Sequence, residues 1–109
     1  MLIELREYDV TVGRIQDSVK RFNEHNLRLF AKHGMTVVFI GRTAIGDETM
    51  HQIIYALRFE SYADMEDRWA AFQADPEWRQ VKDQTEATGP YTARVRRRII
   101  DESSFPGAV

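Results

Sequence analysis

From Ile15 to His33 apolar positions recur every third or fourth residue, while the segments on either side alternate every second residue. A period near 3.6 makes a helix with one buried stripe, and a period of two makes a strand with two distinct faces. The stripe is Ile15, Val19, Phe22, Asn26, Leu29, Phe30 and His33, with Arg14, Asp17, Lys20, Arg21, Glu24, Arg28 and Lys32 on the solvated side. Lys32, His33 and Gly34 form a stop signal, with cations in the last turn and then a glycine suited to the left-handed cap position. At roughly 1.5 Å per residue, such a helix crosses most of a small domain. The rest of the chain therefore has to pack around it.

Leu2 to Val10 alternates, with Ile3 and Leu5 on what reads as the apolar face and Glu4, Arg6 and Tyr8 on the other. Met35 to Thr43 is a second strand, rich in β-branched and aromatic residues. A turn over 45–48 leads to a third strand, Met50 to Glu60, in which His51, Ile53, Tyr55, Leu57 and Phe59 share a face. Ser61, with Asp64 three residues on, caps a second helix whose stripe is Tyr62, Met65, Trp69 and Phe72. Asp75-Pro76 interrupts it and starts a further short helix to about Glu86. Gly89-Pro90 ends that helix, and Tyr91 to Ile100 is a fourth strand. The tail from about Asp101 reads as irregular.

The order β-α-β-β-α-β, with its second helix broken in two, predicts a single α+β domain over residues 1–109. The expected fold is ferredoxin-like, a four-stranded antiparallel sheet in the spatial order 4-1-3-2 with the helices on one face. Strands one and four would then be neighbours, setting Glu4 and Glu7 near Arg94, Arg96, Arg97 and Arg98. Each strand carries substantial side chains on both faces, including Val37 and Phe39 against Val38 and Ile40. This predicts a homodimer in which a second copy covers the free sheet face, closing a dimeric α/β barrel.

Composition removes several classes of function. The chain has no cysteine, so thiolate nucleophiles, thiolate metal sites and disulfides are out. A net charge of −2 gives no electrostatic case for nucleic acid or a membrane surface. Alternation sends Arg94, Arg96 and Arg98 to one face and Arg97 to the other, so the arginines form no continuous basic patch. There is no signal-peptide pattern and no apolar run near the ~20 residues of a membrane helix, so a cytoplasmic setting is expected. No phosphate loop, nucleophile elbow or Ser/His/Asp order is present. No cofactor is implied, and the three histidines lack the spacing of a metal site.

The chain resembles the NIPSNAP family over roughly residues 2 to 106. The resemblance rests on Ile3-Glu4-Leu5-Arg6-Glu7-Tyr8, on Phe22-Asn23-Glu24-His25-Asn26-Leu27, on Lys32-His33-Gly34-Met35, and on Ala74-Asp75-Pro76-Glu77-Trp78. It implies the ferredoxin-like fold and a homodimer of the α/β-barrel type, with no settled catalytic activity. The chain departs from the family pattern at Tyr55, where a histidine is common, at Leu57, where an aromatic is common, and at Arg28, where a proline often follows the first helix histidine.

His33 and His25 are the candidate catalytic residues. His33 ends the buried stripe, where it is either an acid/base group at a pocket mouth or a last-turn histidine favoured by the helix dipole. His25 lies at the stripe's margin, two turns away. His51 reads as surface. Arg6 and Tyr8, with Glu4, project from one side of strand one, as a carboxylate- or carbonyl-binding row or as a polar network where two sheets meet. Phe39, Tyr55 and Trp69 are candidate ligand-binding walls, or simply core. Three functions are open on these residues. One is a domain of unassigned activity that binds a small hydrophobic or carbonyl-containing molecule between helices and sheet. The second is a cofactor-independent monooxygenase or isomerase, by fold analogy. The third is a purely structural interaction module.

Overall fold

The computed structural model describes residues 1–47 and 50–108. Strand β1 is Leu2–Val10, β2 is Thr36–Arg42, β3 is Gln52–Phe59 and β4 is Thr92–Asp101. They form one sheet in the order β2-β3-β1-β4, every pairing antiparallel. This is the expected ferredoxin-like order. Of the turn expected over 45–48, Glu48 lies outside the described residues, as do Thr49 and Val109. The tail is less irregular than expected, since β4 extends through Asp101 and Pro106–Ala108 form a short 3-10 turn. No helix among the described residues is long and apolar enough to cross a membrane.

The first helix is one rod in three parts: α1 (Ile15–Arg21), a π turn (Phe22–Asn26) and α2 (Leu27–Lys32). The Leu27 amide donates to the Phe22 carbonyl across five residues, which widens the helix at the Phe22-Asn23-Glu24-His25-Asn26 run. Phe22, Asn26, Leu29 and Phe30 still turn inward. The helix ends as the sequence predicts. Gly34 has φ +70°, the Gly34 amide donates to Ala31 O at 3.0 Å, and the Met35 amide donates to Phe30 O at 2.8 Å. This is a Schellman cap, with Met35 buried at the turn.

Helix α3 (Tyr62–Ala74) is capped by Ser61, whose Oγ accepts from the Asp64 amide at 3.1 Å, while Asp64 accepts from the Glu60 amide. Helix α4 (Pro76–Thr85) is capped by Asp75, which accepts from the Glu77 amide at 2.9 Å. The helices and one face of the sheet enclose a row of aromatic rings. Tyr55, fully buried, has Tyr8, Phe22 and Phe30 around it with centroids 5.3, 5.4 and 5.7 Å away, and Phe30 leads on through Phe72 to Trp78. Such pairs add about 0.5–1.5 kcal/mol each beyond area burial.

Two face assignments differ from the sequence reading. In β1 the side facing the helices is Leu2, Glu4, Arg6, Tyr8 and Val10, not the Ile3–Leu5 side. The register pairs Glu4 with Leu57, Arg6 with Tyr55 and Tyr8 with Ile53, all on the aromatic side of β3. The polar row therefore enters the protein instead of meeting a second sheet. In β2 the register shifts between Val37 and Phe39, a bulge with Val38 as the extra residue. Val37 opposes Leu57, but Phe39 opposes Ala56 on the outer face and Ile40 opposes Tyr55. Phe39 thus leaves the face that holds Tyr55 and is half exposed. The charge match between β1 and β4 is as expected: Glu4 pairs with Arg97, Glu7 with Arg96 and Arg98, and Asp9 with Arg94 and Arg96.

Candidate functional site

Four of the expected site residues come together where β1 passes beneath α3. Glu4 is fully buried there. A carboxyl group without water needs donors to satisfy it. Its Oε1 accepts from the Trp69 indole N–H at 2.5 Å and its Oε2 from Arg97 Nε at 2.7 Å. Two residues further along the strand, Arg6 lies over two rings, its guanidinium carbon 4.4 Å from the Trp69 ring centroid and 5.6 Å from that of Tyr8. Tyr8 and Tyr55 share a hydrogen bond of 2.7 Å between their hydroxyls. Alternation in β1 and the antiparallel partners on β3 and β4 bring these groups to one face.

An open cleft of about 430 Å3 lies against this cluster. Glu4, Arg6 and Arg97 form its polar floor, and Trp69, Met65 and Tyr62 its apolar wall. Glu66 and Gln73 also border it. The electrostatics keep the phenol neutral and the guanidinium charged. Burial, followed by the neighbouring Tyr8, pushes the Tyr55 phenol well above its ordinary 10.0, with Arg6 pulling the other way. Burial acts to lower the Arg6 pKa, but Tyr55, Tyr8 and Glu4 outweigh it and raise it.

The remaining candidates stand elsewhere. His33 is the C-cap residue of α2, where it donates from Nε2 to Asp75 Oδ2 at 2.7 Å and its own carbonyl accepts from Arg68 at 2.9 Å. Its ring meets Phe72 edge-on with centroids 6.2 Å apart. His25 is half buried within the π turn, its Nε2 3.8 Å from Glu24 and its Nδ1 buried without a partner. Neither histidine borders the cleft. Phe39 is on the far side of the sheet. A second, almost wholly apolar hollow of about 270 Å3 lies between the first helix and β2, lined by Val19, Phe22, Leu27, Ile40 and Ile53 among others. Among the described residues no group of three or more His, Asp or Glu side chains is placed to hold a metal.

Sequence reasoning did not place Arg97, Met65 and Tyr62 in the site. Their signals were present. Arg97 alternates to the opposite face from its arginine neighbours, and Tyr62 and Met65 share the stripe of Trp69. Asp75 was legible as an N-cap but not as the residue that holds His33.

The family model for NIPSNAP matches residues 3–105. Among solved structures, an uncharacterized NIPSNAP domain protein from Burkholderia xenovorans superposes with a TM-score of 0.81 at 18% identity, over 96% of this chain and 97% of that one. Protein Atu4242 from Agrobacterium tumefaciens gives 0.82 at 22% identity, over 96% of each chain. An antibiotic biosynthesis monooxygenase gives 0.55 at 7% identity, over 93% of this chain and 97% of its own. At these identities the likeness is one of fold. No curated protein matches significantly in sequence.

Proposed function

The chain belongs to the NIPSNAP family, and from that premise we propose that it is a homodimeric domain that binds a small hydrophobic or carbonyl-containing molecule in the cleft between α3 and the sheet. The observation that carries this reading is the convergence of Arg6, Arg97 and Glu4 on the floor of a cleft walled by Trp69, Met65 and Tyr62. A polar floor of few, fixed groups under an apolar wall is the usual make-up of a small-molecule site, and the volume falls in the usual range. With both histidines outside the cleft, the geometry supports binding ahead of acid–base catalysis.

The dimer rests on the outer sheet face. Ile3, Leu5, Ile54, Phe39 and Ile100 point there, with Phe39 50% and Ile100 42% exposed. An apolar area of this kind favours a self-complementary partner. Sedimentation at micromolar concentration is expected to give twice the 12.7 kDa of the chain, and Phe39→Glu is expected to return the single-chain mass. A wild-type monomer overturns the dimer.

The binding reading is tested by thermal shift over aromatic and carbonyl compounds. A ligand at a hundredfold its Kd adds about 2.7 kcal/mol to stability, a rise readily seen in Tm. The rise should survive His51→Ala and disappear in Met65→Glu, which places a charge on the cleft wall. A complete absence of hits overturns the reading.

A further inference from the structure

We infer that the molecule bound in this cleft carries a carboxylate, gripped by Arg6 with Arg97 beside it, and a flat apolar body lying along Trp69 and Met65. The inference rests on the reading of the cleft as a binding site, and goes beyond it by assigning the charge and shape of the ligand.

The cleft floor carries more positive than negative charge. Two guanidiniums, Arg6 and Arg97, share one buried carboxyl group, that of Glu4. Both oxygens of Glu4 already accept strong hydrogen bonds, one from the Trp69 indole and one from Arg97. Arg6 Nη1 is left 3.9 Å from Glu4, beyond hydrogen-bond reach. The Arg6 side chain makes no hydrogen bond to any described residue, and its Nε is buried without a partner. The side chain is nevertheless only 18% exposed. A desolvated guanidinium with unmatched donors is costly, and proteins usually supply an anion to such a group. This one does so elsewhere: Arg21, which lies over Trp78 and Tyr91 and whose Nε is likewise buried without a partner, still donates from Nη1 to Glu86 at 3.1 Å and to Thr85.

The geometry selects a carboxylate. The Trp69 and Tyr8 rings confine the Arg6 guanidinium, whose planar fork matches two carboxylate oxygens side by side. A neutral carbonyl accepts hydrogen bonds but leaves the surplus positive charge uncompensated. A doubly charged phosphate exceeds it by one. The other groups facing the cleft orient the ligand. Glu66, on α3, is an exposed acid that repels a carboxylate, so the acid end lies towards β1 and β4. Trp69, Met65 and Tyr62 then line the path of the apolar body, and Gln73 is left as a neutral donor and acceptor.

The test compares phenylacetate and indole-3-acetate with their primary amides, which have the same shape without the charge, by isothermal titration against the full chain. The acids are expected to bind at least about tenfold more tightly than the amides, the gap narrowing with added salt. Arg6→Met should abolish the difference by weakening the acids far more than the amides, with Arg6→Lys restoring part of it. Circular dichroism establishes that the variants are folded. Arg97→Gln, at a half-exposed side chain, is a second variant and should weaken the acids about threefold. Equal binding of acids and amides, or an acid preference that survives Arg6→Met, overturns the carboxylate while leaving the cleft as a binding site. Binding of neither series overturns both.

Discussion

Asp75 and Arg6 are both charged groups with little exposure, and the fold treats them in opposite ways. Asp75 is saturated. One oxygen accepts from Lys32 at 2.8 Å and His33 at 2.7 Å, and the other from the Glu77 amide at 2.9 Å. It joins the C-terminus of the first helix to the N-terminus of α4, where a carboxylate also meets the favourable end of the helix dipole. The Arg6 guanidinium lies over two aromatic rings, and the side chain finds no hydrogen-bond acceptor among the described residues. The first arrangement is complete within the chain. The second has donors to spare beside an open cleft. On the proposed reading of the cleft, the difference between a structural charge and a ligand-facing one lies in the partner count, not in burial.

The contrast can be probed by substitution, taking the largest effect first. Glu4→Ala removes the acceptor of both Arg97 and the Trp69 indole, and with it the anion nearest to Arg6. It is expected to cost about 3–5 kcal/mol in urea unfolding. Gly34→Ala attacks the saturated cluster through His33. It forces a side chain into the left-handed region and into the space of Arg68 Nη1, which donates to the His33 carbonyl. A loss of about 1–2 kcal/mol is expected by thermal melting.

The acid limb of the stability curve gives the next effect. Hydrogen bonds from Lys32, then His33 and the Glu77 amide, hold the Asp75 carboxyl below its ordinary 3.8. A carboxyl group with a depressed native pKa stabilises the fold above its unfolded value and loses that contribution as pH falls through the native one. The wild type should therefore lose stability below about pH 3.8 more steeply than Asp75→Asn in parallel melts across pH 2–6. Equal slopes would remove Asp75 as the saturated member of the pair.

Arg6→Met should have the smallest effect, within about 1 kcal/mol in either direction, because an unmatched buried charge adds little to stability. If it destabilises as much as Glu4→Ala, Arg6 is structural and the contrast between the clusters fails.

The elements were legible because their signals are local. Gly34, Ser61 and Asp75-Pro76 each specify an end with chemistry inside one turn of chain. The two periods separate strands from helices, and the element order then leads to the strand order. The site was half legible. Arg6, Tyr8, Tyr55 and Trp69 were picked out as individual residues, but Glu4 and Arg6 read as an outward polar row. They turn inward because their partners, Trp69 and Arg97, come from far along the sequence. The histidines drew attention for their chemistry, yet Asp75 engages His33 across forty-two positions, a contact no periodicity can report. The π turn was hidden as well, since Phe22, Asn26, Leu29 and Phe30 fit either helical pitch.

Val-Val-Phe-Ile in β2 is apolar at every step, so alternation there carries no phase, and the bulge at Val38 sets it instead. In effect the bulge is a frameshift written in side chains. Downstream of it, Phe39 is offered to the outside and Ile40 to the interior. Regular pairing with Val38 kept in the ladder would exchange the two, setting Phe39 opposite Tyr55 and Ile40 opposite Ile54 on the outer face. A strand interior is normally intolerant of length changes because they misalign hydrogen bonds. Here the added residue has a second effect, in that it apportions aromatic bulk between the inside of the domain and its exterior.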